Sequence, residues 1–160
     1  SQKWTMYDTI TRVPTIVWSP GQFEGGRKVD GLCQLFDLGP TVLELAGVAP
    51  PKTMEAMSLL PTLKGEDQAL RGYVFAEHVR DGILQETAFM TMVRSEKWKL
   101  VHFIDEPMGQ LFDLEKDAKE EKNLWDDPNC QDIKQDMLEA MRKWLIESNL
   151  KTGQWQEGWR

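Results

Sequence analysis

Four short runs rich in β-branched and aromatic residues follow one another in the middle of the chain: residues 73–79 (YVFAEHV), 88–93 (AFMTMV), 98–104 (WKLVHFI) and 110–114 (QLFDL). Their lengths suit strands, and their connections fall short of the dozen or so residues that a parallel crossover requires. They can therefore pair only as antiparallel neighbours. Ser95-Glu96-Lys97 has the length of a hairpin turn, and residues 105–109, with Pro107, close another. Beyond them Asp127 stands as a cap and Pro128 as a first helical residue, and Ile133, Met137, Leu138, Met141, Trp144 and Leu145 recur at three- and four-residue steps. That stripe predicts an amphipathic helix lying on one face of the sheet.

The first seventy residues read differently. Residues 13–18 (VPTIVW) form a β-branched apolar run closed by Ser19-Pro20-Gly21, the pattern of a strand buried on both faces. Such a strand usually lies in a parallel sheet with helical crossovers, yet no strand-helix-strand unit is left in the sequence to supply one. Its neighbours are expected outside these residues. After the glycine-rich turn 21–27, residues 29–35 read as extended. Asp37 then caps a helix through Ala46 that Gly47 ends, with Pro40 tolerated in the first turn. Residues 48–53 are loop, and 58–65 (SLLPTLKG) one helical turn stopped by glycine.

Composition removes several function classes. Nineteen Lys and Arg face 26 Asp and Glu, a formal charge of -7, and the last third carries most of the excess, which disfavours a nucleic-acid partner. No apolar run reaches the roughly 18–20 residues of a membrane helix, and no membrane partner is expected. The N-terminus lacks signal-peptide grammar and does not begin with Met, so the chain reads as a processed or truncated piece whose compartment stays open. Cys33 and Cys130 make no disulfide framework, and with His78 and His102 they show no zinc spacing. The charged stretch 115–122 (EKDAKEEK) has no apolar face and reads as a solvated turn. Trp155 and Trp159, four residues apart in the tail, are expected to dock on another surface of the parent protein.

Three stretches, taken in order, resemble the type I sulfatases of the alkaline-phosphatase superfamily. The first is Lys3-Trp4-Thr5-Met6-Tyr7-Asp8 running into Thr11-Arg12-Val13-Pro14 and Ser19-Pro20-Gly21. The second is Val29-Asp30 through Phe36-Asp37-Leu38-Gly39-Pro40-Thr41 to Leu45-Ala46-Gly47. The third is Arg94-Ser95-Glu96-Lys97-Trp98-Lys99-Leu100, then Gln110-Leu111-Phe112-Asp113-Leu114 and Asn123-Leu124. Each is loose alone, but the ordered set is specific.

The resemblance implies an α/β fold, α+β as an isolated piece. Residues 1–70 would end the mixed sheet of the catalytic domain, and residues 71–160 would form a C-terminal subdomain of about four antiparallel strands with a packed helix. It implies hydrolysis of sulfate esters by a formylglycine hydrate aided by calcium. Neither group is expected on this chain, because the Cys/Ser-x-Pro-x-Arg maturation motif and the acidic metal cluster of the family are absent from it. The partners implied are the N-terminal portion of the same enzyme and a small sulfated substrate; a homo-oligomer stays open. Alone, the chain is expected to be inactive.

One catalytic residue carries over. Lys3 matches the family's sulfate-binding lysine, whose compact ammonium suits a sulfate oxygen and the leaving oxygen; without the resemblance it is a solvated lysine at a frayed end. Arg12 is expected to pair structurally with a carboxylate. His78 and the following loop, residues 80–87, lie where the family's C-terminal subdomain reaches over the pocket. His78 could hold a substrate hydroxyl or donate a proton, or simply be a satisfied strand-end histidine. His102 reads as a sheet-face residue. Two other readings keep part of this picture: a phosphonate monoester hydrolase or phosphodiesterase of the same superfamily, and a non-catalytic α+β interaction domain using the Trp-rich tail and acidic last helix.

Overall fold

A computed structural model of the chain describes residues 5–66, 71–79 and 89–153. Lys3, the 80–87 loop, Trp155 and Trp159 lie outside the described residues. The structure divides into two compact units: residues up to Thr15 with Tyr73–Arg142, and Ile16–Gly72 with the residues from Lys143 on.

In the first unit, strands β1 (Val74–Val79), β2 (Phe89–Arg94), β3 (Trp98–Phe103) and β4 (Gly109–Asp113) pair antiparallel in the order 1-2-3-4, as the spacing of the four runs requires. The Ser95 hydroxyl accepts from the Trp98 N–H at 2.9 Å and closes the β2–β3 hairpin; Asp105, at φ +62, turns the chain between β3 and β4. The Asp127 carboxylate accepts from the Asn129 N–H at 2.9 Å and caps the 3₁₀ turn Pro128–Cys130, which opens helix α4 (Gln131–Thr152). Met137 and Met141 of α4 pack with Val93, Leu100 and Leu111 on one sheet face, joined by Ile133 and Leu138. Burying each such side chain contributes about 1.5–3 kcal/mol.

The opposite face is covered too. Met6, next to helix α1 (Asp8–Thr11), packs with Met90, Met92 and Val101. Hence β2 reads Phe-Met-Thr-Met-Val without polar alternation: a central strand between two covered faces has no solvent side.

In the second unit, helix α2 (Leu38–Leu45) follows a 3₁₀ turn, Leu35–Asp37, and ends at Gly47, φ +74. The single turn α3 (Leu60–Leu63) stops before Gly65, φ +93, and the Arg27 guanidinium donates to the Thr62 and Leu63 carbonyls at its end.

Three local expectations are corrected. Residues 13–18 join no strand; Ile16 and Trp18 stand 88% and 83% exposed, because the four described strands pair only with one another and leave no ladder beside them. Of residues 29–35, Gln34 is extended as expected, but Leu35 already begins the 3₁₀ turn. Asp37 stands before α2 as expected but does not cap it with its side chain. Gln34 caps the preceding turn, with Asp37 as the reciprocal partner of a capping box.

Candidate functional site

Lys99 has no exposed surface, although it projects from the centre of β3. An ammonium there is tolerable only if carboxylates surround it. Its Nζ donates to Asp8 Oδ1 at 2.6 Å and to Glu120 Oε1 at 2.7 Å, and Arg94 Nη2 reaches Asp8 Oδ2 at 3.4 Å. Two carboxylates thus face two cations in a formally neutral cluster. The second oxygen of Glu120 accepts from the Asp8 backbone N–H at 2.6 Å, so the start of α1 is held by side chain and backbone alike.

The local sequence explains how these groups meet. The register sets Arg94 opposite Lys99, so both cations fall on the face that Met6 covers. In the loop after β4, the Asp113 carboxylate accepts from the Glu115 N–H at 3.2 Å, and Asp117 accepts from the N–H groups of Glu121 and Lys122. Those backbone bonds hold the Asp117 carboxyl below its ordinary range. The loop then turns at Glu120, φ +57, which aims the Glu120 carboxylate inward. The 115–122 stretch is therefore not wholly solvated. Glu120 is buried, and only its alternation with lysines made it read as surface.

Burial alone would raise the Asp8 pKa, but the hydrogen bond and charge of Lys99, aided by Arg94 and more weakly by Arg12, hold it below the usual aspartate range. Arg12 contributes to Asp8 only through the weak reach of its charge. Tyr7 completes the attachment: its hydroxyl accepts from Gln110 Nε2 at 3.1 Å, and its ring lies 5.9 Å from that of Phe112. Three consecutive residues, Met6, Tyr7 and Asp8, are fixed on the sheet by apolar packing, a hydrogen bond and an ion cluster respectively.

His78 pairs across the ladder with Met90, which packs in the cluster containing Met6, so it stands on the same sheet face as the attached segment. His102 lies on the other face, its ring stacked on Trp125 at 6.4 Å, in keeping with a face-of-sheet role. Asn123 serves the β4 edge: Oδ1 accepts from the Leu111 and Trp125 N–H groups, and Nδ2 donates to the Gly109 carbonyl. Asp8, Lys99 and Asn123 stand within the sequence motifs with no role evident from them, and nothing in the sequence marks Glu120. A lysine inside an otherwise apolar strand, W-K-L-V, was the available signal.

The second unit has its own buried carboxylate. Asp37 accepts from the Gln34 N–H at 2.7 Å and the Met57 N–H at 2.8 Å and pairs with Arg71, while the Thr41 hydroxyl donates to the Asp37 carbonyl and accepts from the Leu59 N–H. Both Asp37 carboxylate oxygens are matched inside the fold, so the cluster is an internal tie between α2 and the 57–59 segment.

Among the described residues no group of three or more His, Cys, Asp or Glu could hold a metal ion, and Cys33 and Cys130 are free thiols outside any maturation motif. The calcium that the resemblance implies finds no donor set among the described residues. Among the described residues, no helix is long and apolar enough to cross a membrane.

The pattern of the family described as N-sulphoglucosamine sulphohydrolase, C-terminal, matches residues 1–147. A Delta 4,5-hexuronate-2-O-sulfatase of Bacteroides thetaiotaomicron is 36% identical over 136 residues, covering 81% of this chain and 27% of its own length. A solved 2-O GAG sulfatase aligns with a TM-score of 0.64 at 32% identity, over 71% of this chain and 24% of its own. The phosphonate monoester hydrolase of Agrobacterium radiobacter shares the fold, with a TM-score of 0.68 at 23% identity over 76% of this chain and 26% of that one. The chain thus spans about a quarter of the length of these proteins.

Proposed function

The chain belongs to the N-sulphoglucosamine sulphohydrolase C-terminal family, within the sulfatases of the alkaline-phosphatase superfamily, and from that premise we propose that it is the C-terminal part of an enzyme hydrolysing sulfate esters. In this reading residues 1–70 end the catalytic α/β domain, residues 71–160 form the C-terminal subdomain, and Met6–Asp8 tether the first to the sheet of the second. Calcium and formylglycine belong to the remainder of the enzyme, and the chain alone is inactive.

Lys3 is the sulfate-binding cation. Its ammonium donates to a sulfuryl oxygen and to the leaving oxygen, where negative charge grows as the S–O bond breaks. His78, on the sheet face that carries the attached segment, contacts the substrate at the pocket rim. The observation carrying this reading is the family match through residue 147, which begins ahead of Lys3 and runs into α4.

The test uses the intact enzyme with an aryl sulfate and an unsaturated hexuronate 2-O-sulfate, following release of inorganic sulfate. Sulfate release is expected from at least one, and Lys3→Ala should lower kcat/KM by about 10²–10³-fold, the usual cost of removing one preorganised donor. Hydrolysis of a phosphonate monoester with none of either sulfate would favour the phosphonate reading instead.

A further inference from the structure

We propose that the outward face of helix α2 is the seat of an apolar β-sheet supplied by the preceding part of the enzyme. This rests on the reading of the chain as the C-terminal part of a sulfatase and names a surface by which that part joins the rest. The helix is inverted for one that lies at a free surface, where apolar residues turn inward and polar ones meet water. Its inner side carries Asp37 at its start, Pro40 and Thr41, all buried, and two of these take backbone partners from the chain's own 57–59 segment: Asp37 accepts from the Met57 N–H and Thr41 from the Leu59 N–H. Glu44, three residues past Thr41, falls on that same side of the helix. The other side holds Gly39, Val42 and Ala46 at three- and four-residue steps, each exposed, Val42 by 62%. Leu45 and, in the preceding turn, Leu35 are exposed as well, and none of the five carries a polar side chain.

A helix with polar groups inside and apolar ones outside belongs between two layers, of which this chain provides one. Residues 13–18 point to the nature of the other. They carry the pattern of a strand buried on both faces, and none of the described strands pairs with them, so the preceding part of the enzyme has to bring strands to their sides. A sheet buried on both faces needs helices to cover it, and α2 offers a face of the polarity that such a sheet requires. There is chain enough to build one, since the match takes up only 27% of the length of the Bacteroides thetaiotaomicron relative. A second copy of this chain could hide α2 but would bring no spare strand for residues 13–18, because its four described strands pair only with one another.

The test needs no substitution. Hydroxyl-radical labelling of the 160-residue chain alone and of the intact enzyme, both dilute, is followed residue by residue by mass spectrometry. Leu35, Val42 and Leu45 should be labelled at least about tenfold more slowly in the intact enzyme, because a covered side chain reacts only when its cover opens. Equal rates in the two forms overturn the proposal, and so does protection in the lone chain that grows with concentration, the mark of a second copy. The kind of cover is read in the intact enzyme with photo-leucine in place of leucine. Cross-links from positions 35 and 45 should fall on residues two apart in a run that precedes these 160 residues, one face of a strand. Cross-links spaced three and four apart, the mark of a helix, overturn it, as do cross-links confined to this chain or joining two molecules. Sulfate release by the unaltered enzyme is scored separately. An enzyme that releases none while showing the expected protection and cross-links loses the sulfatase reading and keeps the seam; one that releases sulfate with α2 labelled as fast as in the lone chain loses only the seam.

Discussion

A carboxylate whose pKa is held down in the folded state makes stability depend on pH with a definite sign. Asp8 is such a group, lowered by Lys99, Arg94 and Arg12 against the opposing effect of its burial. Above the ordinary aspartate range both folded and unfolded states carry the charge, and the full contribution of the ion cluster is present. As the pH falls below that range the unfolded chain takes up a proton first, and the contribution is lost progressively until the folded carboxyl protonates as well. Asp8→Asn should therefore destabilise the protein by about 1.5–3 kcal/mol near neutrality, the scale of a lost charge-assisted hydrogen bond. The gap between variant and unaltered protein should close as the pH is lowered from 5 towards 2. Urea unfolding across that range checks it, and a gap independent of pH would mean that Asp8 acts there by shape rather than by charge.

The sheet and its covering helix were legible because short β-branched and aromatic runs, turn chemistry and a three-four apolar step each act over a few adjacent residues. Ser95, Asp105, Asp127 and Pro128 stand where the turns and caps need them. The burial of Glu120 was not legible, because it depends on meeting Lys99, a residue 21 positions away, and nothing within 115–122 distinguishes it from its solvated neighbours. The N–L pair after β4 was legible as a motif but not as a mechanism. Asn123 in fact closes the open edge of the last strand, and Trp125 then lies over Gly109 between the His102 ring and Lys134, whose Nζ is 4.3 Å from the indole centroid. A Cβ at Gly109 would come within 2.4–2.5 Å of three atoms of the Trp125 six-membered ring, closer than side chains approach. The glycine is thus required by space rather than by backbone conformation. Gly109→Ala should cost about 1–3 kcal/mol through displacement of the indole, the range for overpacked sites. A shift in tryptophan emission should accompany the loss, and an unchanged midpoint in urea would show that the ring moves aside freely.

The molecule as a whole presents an uneven surface. In the second unit Ile16 and Trp18 are almost fully exposed, and Leu35, Val42 and Val48 are more than half exposed. Side chains of this size on neighbouring stretches are the sign of a surface meant to be covered. The match covers only 27% of the Bacteroides thetaiotaomicron relative's length, so an enzyme of that length has ample chain to provide the cover. A strand between neighbours drawn from elsewhere would give the doubly apolar pattern of residues 13–18 a physical reason, an expectation that the chain alone and the intact enzyme together can test. The two contexts should respond oppositely to one change. In the 160-residue chain expressed alone, Trp18→Glu should alter unfolding stability by less than about 0.5 kcal/mol, as for an ordinary surface site, while reducing self-association and binding of an apolar dye. In the intact enzyme the same substitution places a carboxylate among apolar neighbours and should cost about 3–5 kcal/mol, enough to lower its yield of folded protein. Calorimetry of both forms decides the matter: equal, small effects would mean that residues 13–18 remain on the surface of the full-length protein, and the missing strand partners would have to be abandoned.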